Sequence, residues 1–326
     1  MSTTDKISIL GYGQSDCGKS TQVRYIAEYI WKKYQKRTRL IALDRGSLWA
    51  PCQDLVDEGI VIPCEFPTDY VYNPFAIMRK FRRGEWPEGD RINAPTSVSD
   101  KGTIRYRTNT KWLPWTQKET EEIGFVAVDS LTTFATAFMS DAKQKNLRIG
   151  TKQKDDELPP QPREEDGETA GTNTISHYGD AHTELLDAIQ AFQALPVPLL
   201  YFTALEGKGE DDDTGLKKTV LGPDTVGKAI TGKLPSRVSA CFHLTSEGTG
   251  AKKKVKAWYT KHDSDIPRLQ WPAKVPFLPH QLPELWKKWP DGFITLSLDK
   301  GIREFLEFRD ELLKKGEKDG KTQQPD

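Results

Sequence analysis

The chain has 326 residues, with 47 Lys+Arg against 47 Asp+Glu. That balance gives no vote for or against nucleic acid, and the length suits one large α/β domain with insertions or two small ones. The opening MSTTDK lacks a signal-peptide pattern and no apolar run approaches a membrane span, so a cytoplasmic protein without a membrane partner is predicted.

In chain order, residues 6–12 alternate into an apolar strand ended by Gly11 and Gly13. A helix follows from Gly18, with Val23, Ile26, Ala27, Ile30, Trp31 and Tyr34 on one stripe and Arg24, Glu28, Lys32 and Lys33 facing water. "RLIALD" (39–44) and "GIVIPCEF" (59–66) read as buried strands, and "NPFAIMRKFRRG" as a helix stopped by Gly84. Short alternating pieces over 85–122 predict a β-hairpin insertion. "GFVAVDSL" (124–131) is apolar on both faces, as a central parallel strand should be, and a helix is predicted from Thr132 to Lys145. Residues 146–175 include a Pro-rich acidic stretch without periodicity and are predicted to be a mobile loop. "HTELLDAIQAFQAL" is helical, "VPLLYFTAL" is the fifth strand, and a hairpin with its turn at 247–250 follows. The last helix is predicted from Lys300 to about Lys314, before a disordered tail. Strands alternating with helices predict a three-layer α/β fold with a mostly parallel sheet. A core over 1–270 and a C-terminal extension over 271–326 are the expected divisions.

Gly13-Gln14-Ser15-Asp16-Cys17-Gly18-Lys19-Ser20 matches G-x-x-x-x-G-K-[ST] in full, and Thr21 continues it. Glycines let successive backbone N–H groups turn inward around an anion, and the following helix adds its positive end. Lys19 would reach the β- and γ-phosphates of ATP, and the Ser20 hydroxyl would coordinate Mg²⁺. Asp129 closes the most apolar strand and is the second metal carboxylate; the alternative is a helix cap before "SLTTFA". The residue after it is Ser130, so a water-activating carboxylate must come from elsewhere. Asp44, Glu65 and Glu206, each near a strand end, are the candidates, with a surface acid as the alternative for each. Thr203, ending the fifth strand, is either a γ-phosphate sensor or an ordinary β-former.

The net charge of zero hides blocks of opposite sign. Residues 71–118 carry ten bases against four acids, residues 150–213 four against 15, and residues 217–262 ten against two. The first block mixes aromatics with bases, among them Arg79, Arg82, Arg83, Arg105 and Arg107, a combination that stacks on single-stranded bases or simply packs as a solvated insertion. Lys252, Lys253 and Lys254 would contact DNA, reach a neighbour's γ-phosphate, or form an exposed hairpin tip. The four cysteines and five histidines (His177, His182, His243, His262, His280) show no metal spacing, and no chemistry is assigned to them.

The order of parts, a P-loop, "ALD", "FVAVDSLT" and "LLYFTALE", resembles the RecA-like ATPase core, closest to the phage-encoded single-strand-annealing group. "HYGDAHTELLDAIQAF" and "GPDTVGKAITGKLPSRV" are also similar to that group. The resemblance implies a RecA-like P-loop NTPase with ATP and Mg²⁺, a homo-oligomer, single-stranded DNA as partner and, if phage-encoded, the host-cell cytoplasm. Two features depart from it. The position after the second strand reads Asp44-Arg45-Gly46 instead of the family's glutamate, and the loop after the fifth strand reads "EGKGEDDDTGLKK", whose acids repel phosphate. Two alternatives remain: a nucleotide-gated assembly protein with little hydrolysis, and a nucleotide or small-molecule kinase, since "GQSDCGKSTQ" is also similar to thymidylate-kinase P-loops.

Overall fold

A computed structural model describes residues 6–42, 50–65, 85–87, 97–98, 104–105, 112–136, 138–139, 175–211, 218–225, 228–248, 253–264, 270–277 and 279–321. β1 (Ile7–Gly13) leads into α1 (Thr21–Tyr34), β2 (Arg37–Ala42), α2 (Gln53–Asp57) and β3 (Val61–Glu65). Four short strands come next, β4 (Glu85–Pro87), β5 (Ser97–Val98), β6 (Ile104–Arg105) and β7 (Trp112–Pro114), then α3 (Gln117–Glu122) and β8 (Ile123–Asp129). The second half holds α4 (Ile175–Ala194), β9 (Leu199–Asp211), β10 (Lys218–Pro223), α5 (Lys228–Thr231), β11 (Ala240–Glu247) and β12 (Lys254–Trp258). It closes with β13 (His262–Asp263), β14 (Gln270–Trp271), α6 (Leu282–Lys288), β15 (Phe293–Leu296) and α7 (Arg303–Lys321).

The fold is mixed α/β around a mostly parallel central sheet, with strands in the order β15-β12-β11-β1-β9-β8-β2-β3. From β11 to β3 every neighbouring pair is parallel, while β12 and β15 add an antiparallel edge. Side chains alternate across the pleat, so each central strand feeds two cores. Ile7, Ile9, Phe125, Ala127, Leu199 and Tyr201 face one side, where Val23, Ile26 and Ile30 of α1 and Phe305 and Leu306 of α7 cover them. Leu10, Tyr12, Val126, Val128, Leu200 and Phe202 face the other, under Phe134, Leu185, Ile189 and Phe192. Helix, sheet and helix make the three layers.

The insertion pairs as expected where it is described: β4 with β7, and β5 with β6. A capping box, in which Thr116 accepts from the Glu119 N–H while the Glu119 carboxylate accepts from the Thr116 N–H, starts α3 directly before β8. Other segments differ from their sequence expectations. The stretch after the fifth strand, expected as a loop, is a hairpin: β9 runs on to Asp211 and pairs with β10. Backbone pairing supplies what its glycines and acids lack in strand propensity. The turn between β11 and β12 begins one residue later than expected, after Glu247. α7 continues to Lys321, since Lys and Glu favour helix and Gly316 and Gly320 cost only about 1 kcal/mol each. The predicted helix around 74–84, most of the acidic stretch over 146–175 and Asp44 lie outside the described residues.

Residues past 270 share the main sheet and core. β15 pairs with β12, and the Ile302 N–H donates to Gln22 Oε1 on α1 at 2.8 Å. Asp310 of α7 accepts from Tyr29 and Lys33 of α1. α7 therefore braces the helix that begins at the P-loop. Truncating the fully buried Phe305 to alanine should cost about 3–5 kcal/mol of stability, read as a lower denaturant midpoint at unchanged slope.

Candidate functional site

β1 ends between two parallel neighbours, with Gly13 opposite Leu205 of β9 and Tyr12 opposite His243 of β11. A Cβ on Gly13 would sit 2.1 Å from the Leu244 carbonyl oxygen and 2.8 Å from Cys17 Sγ, so no side chain fits there. Gly11 leaves room for the Tyr201 hydroxyl, which donates to the Lys19 carbonyl at 3.2 Å and supports the loop from below. Asp16 (φ 61°) and Gly18 (φ 83°) turn the chain through the left-handed region. The result is a tight turn whose geometry matches the glycine pattern read from the sequence.

Lys19 is 8% exposed, and its ammonium donates to the Gly13 carbonyl at 2.9 Å and to the Gln14 carbonyl. A buried cation held by loop carbonyls, with Cys17 Sγ at 3.7 Å, is poised to exchange them for an anion of full charge. Ser20 begins α1 without using its hydroxyl as a helix cap. Asp129, 3% exposed, ends β8, and the Thr203 hydroxyl of β9 donates to its Oδ1. Only β9 separates the P-loop strand from the Asp129 strand. A hydroxyl at Ser20 and a carboxylate at Asp129 are hard oxygen donors of the kind Mg²⁺ takes, and the donor set fits that ion.

β9 is clamped at Leu205, beside the end of β1. The Leu205 N–H donates to Thr132 Oγ1 at 2.9 Å, Thr132 donates to the Asp224 carbonyl at 2.8 Å, and the Asp224 N–H returns to the Leu205 carbonyl at 2.6 Å. Beyond that clamp, Glu206 Oε2 lies 2.9 Å from His243 Nε2, and His243 Nδ1 lies 2.8 Å from His262 Nε2. Rings enclose the pair: His243 stacks on Tyr12 at 4.8 Å and on Trp271 at 4.4 Å, and His262 on Trp258 at 4.0 Å. Burial raises the Glu206 pKa, but hydrogen bonds from His243 and the Gln14 side chain, with the charge of Lys19, outweigh it and keep the carboxyl below its usual range. Burial, then repulsion from His243, lowers His262 to about 4.

Of the acids named from the sequence as possible bases, Glu206 faces the P-loop; Asp44 and the Glu65 side chain lie outside the described residues. Thr203 is fully buried on the carboxylate of Asp129, so it supports that group. Lys253 donates to the Asp16 carbonyl, so the β11–β12 hairpin overlies this chain's own P-loop, while Lys254 stays exposed in β12. Arg79, Arg82, Arg83, Arg107, Lys252 and the Arg105 side chain fall outside the described residues. Sequence spacing missed His243 and His262, which lie on strands of two different sheets and meet only in the tertiary structure. Their sole signal was polar histidine within apolar or aromatic strand segments, "ACFHL" and "WYTKH".

No protein-family model matches the chain, and no curated protein does. Among solved structures, it is similar to a KaiC-like protein of the hyperthermophilic archaeon Pyrococcus horikoshii, with 10% identity over 77% of both chains and a TM-score of 0.34. It is also similar to the flagellar accessory protein FlaH of Methanocaldococcus jannaschii, with 11% identity over 77% of this chain and 76% of that one and a TM-score of 0.31. Likenesses of this size carry no activity across.

Two outcomes follow from the geometry. Gly13→Ala should distort the loop while leaving the sheet folded, seen as lost nucleotide binding with a far-UV spectrum unchanged. For pH, the unfolded His262 takes a proton near its ordinary value of 6.5 while the folded ring refuses it down to about 4. Stability should therefore rise with pH across that window, and thermal melts of His262→Gln should show a shallower rise than the parent.

Proposed function

We propose that the chain is an ATP-binding, Mg²⁺-dependent P-loop ATPase of the RecA-like kind. It acts as a homo-oligomer on single-stranded DNA in phage-type recombination, repair or replication. The observation that carries the ATPase reading is the buried hydrogen bond from Thr203, on the strand next to β1, to Asp129, which fixes a carboxylate two strands from the strand that leads into the P-loop. The backbone of residues 13–18 would cradle the phosphates, Lys19 would offset charge on the γ-phosphate, and Ser20 and Asp129 would hold the metal. Mg²⁺, when bound, would supply positive charge to offset that of the phosphates.

Support for the DNA partner comes from the basic, aromatic-rich segment over 71–118 and the lysines after residue 217. A second reading, a nucleotide-gated assembly protein with slow turnover, is favoured by Ser130 standing directly after Asp129 where many motors place glutamate.

Steady-state ATP hydrolysis at low salt, with and without single-stranded DNA and with Lys19→Ala as the blank, separates these readings. The ATPase reading expects turnover that depends on Lys19, and the DNA reading expects stimulation that fades as salt rises. Tight ATP binding with turnover at the Lys19→Ala level would favour the assembly reading. Full activity in Lys19→Ala would sink the site.

A further inference from the structure

Glu206, His243 and His262 form a chain that starts beside the P-loop and runs under the sheet's edge to β13. From this arrangement we infer that Glu206 is the carboxylate that activates the attacking water, with His243 and His262 as the positioning residues that hold it. This rests on the ATPase reading above, and goes beyond it by assigning the base and its supports.

Three observations carry the assignment. The first is place: β9 runs between β1 and β8, and its Leu205 lies opposite Gly13 at the end of β1. Glu206 follows the clamped Leu205 there, within hydrogen-bonding reach of the Gln14 side chain and in the field of Lys19. The second is access. The Glu206 side chain keeps 19% of its surface exposed and so meets water, whereas that of His243 keeps 2%.

The third is fixation. His243 Nε2 meets the Glu206 carboxylate and Nδ1 meets His262 Nε2, whose own Nδ1 faces the Asp263 carbonyl at 3.2 Å, and the aromatic rings on either side leave the His243 imidazole little freedom to rotate. The hydrogen bonds that lower the Glu206 pKa keep the carboxylate ionised and ready to accept a hydrogen bond from the water, at some cost in basicity. Other groups around the chain are the buried Tyr12 phenol, Cys17 and Cys241 and, beside His262, Asp263.

In the step assigned to it, Glu206 orients a water whose oxygen bonds to the γ-phosphorus as the bond from phosphorus to the β–γ bridging oxygen breaks. One water proton passes to the Glu206 carboxylate, the bridging electrons stay on ADP, and the carboxyl then returns the proton to solvent. His243 at Oε2 and the Gln14 side chain hold the carboxylate in place while it orients the water.

The test compares Glu206→Gln, His243→Gln and His243→Leu with the parent and with Lys19→Ala. Three readouts are used: single-turnover ATP hydrolysis, affinity for a non-hydrolysable ATP analogue, and the ring N–H proton of His243 by NMR in the nucleotide-free protein. Glu206→Gln keeps an acceptor for His243 but is no base. It should retain the low-field ring proton and bind the analogue within about threefold, while hydrolysis falls by about 10²–10⁴-fold. His243→Gln places an amide N–H where Nε2–H stood and should keep much of the rate that His243→Leu loses. Thermal melts of both variants check folding.

Parent turnover that depends on Lys19, together with near-parental hydrolysis in Glu206→Gln, overturns the inference and leaves the ATPase reading intact. Equal rates in well-folded His243→Gln and His243→Leu overturn the positioning role. A parent without Lys19-dependent turnover overturns the ATPase reading and this inference with it.

Discussion

The parallel register of β1 between β9 and β11 is the constraint on which the site depends. Because all three strands run the same way, their C-terminal ends reach one edge of the sheet together. That edge gathers Gly13, Glu206 and His243 from positions up to 230 residues apart, and the next strand but one adds Asp129. The price of so close an approach is steric. Only glycine passes Leu244 at position 13, and only glycine clears Tyr201 at position 11.

Packing on both faces of the sheet makes that edge rigid. On one side α1 packs Val23, Ile26 and Ile30 against the sheet, and α7 with its preceding residue Ile302 clasps α1 through Gln22, Tyr29 and Lys33. On the other, Phe134, Phe192 and Phe202 meet edge to face or offset beneath Asp129 and Thr203. Polar groups at the site are buried in pairs, Thr203 with Asp129 and Glu206 with His243, and each pair satisfies hydrogen-bonding needs that burial would otherwise leave costly. Energy stored in order at the site is thereby set by hydrophobic contacts remote from it.

Rigid support on one side contrasts with charge on the other. The β11–β12 hairpin lies over the loop, with Lys253 on the Asp16 carbonyl and Val255 near Gly18. A cation resting on the loop's own backbone is positioned to respond when an anion enters, since a phosphate competes for it more strongly than a carbonyl does. The histidine chain continues from the same strand pair toward β13 and β14, so loop, hairpin and edge are mechanically joined.

Much of this was legible in the sequence, and the reason is locality. The P-loop, its helix and the Asp129 strand are each written in consecutive residues, because glycine dihedrals, amphipathic period and a twice-buried strand are properties of short segments. The three-layer class followed from strands alternating with helices. What the tertiary structure alone decided was adjacency. No spacing announces that β9 lies between β1 and β8, that Thr203 hydrogen-bonds to Asp129, or that Glu206, His243 and His262 form one chain, because hydrogen bonds between strands depend on sheet order and register, and these are set by the packing of the whole core.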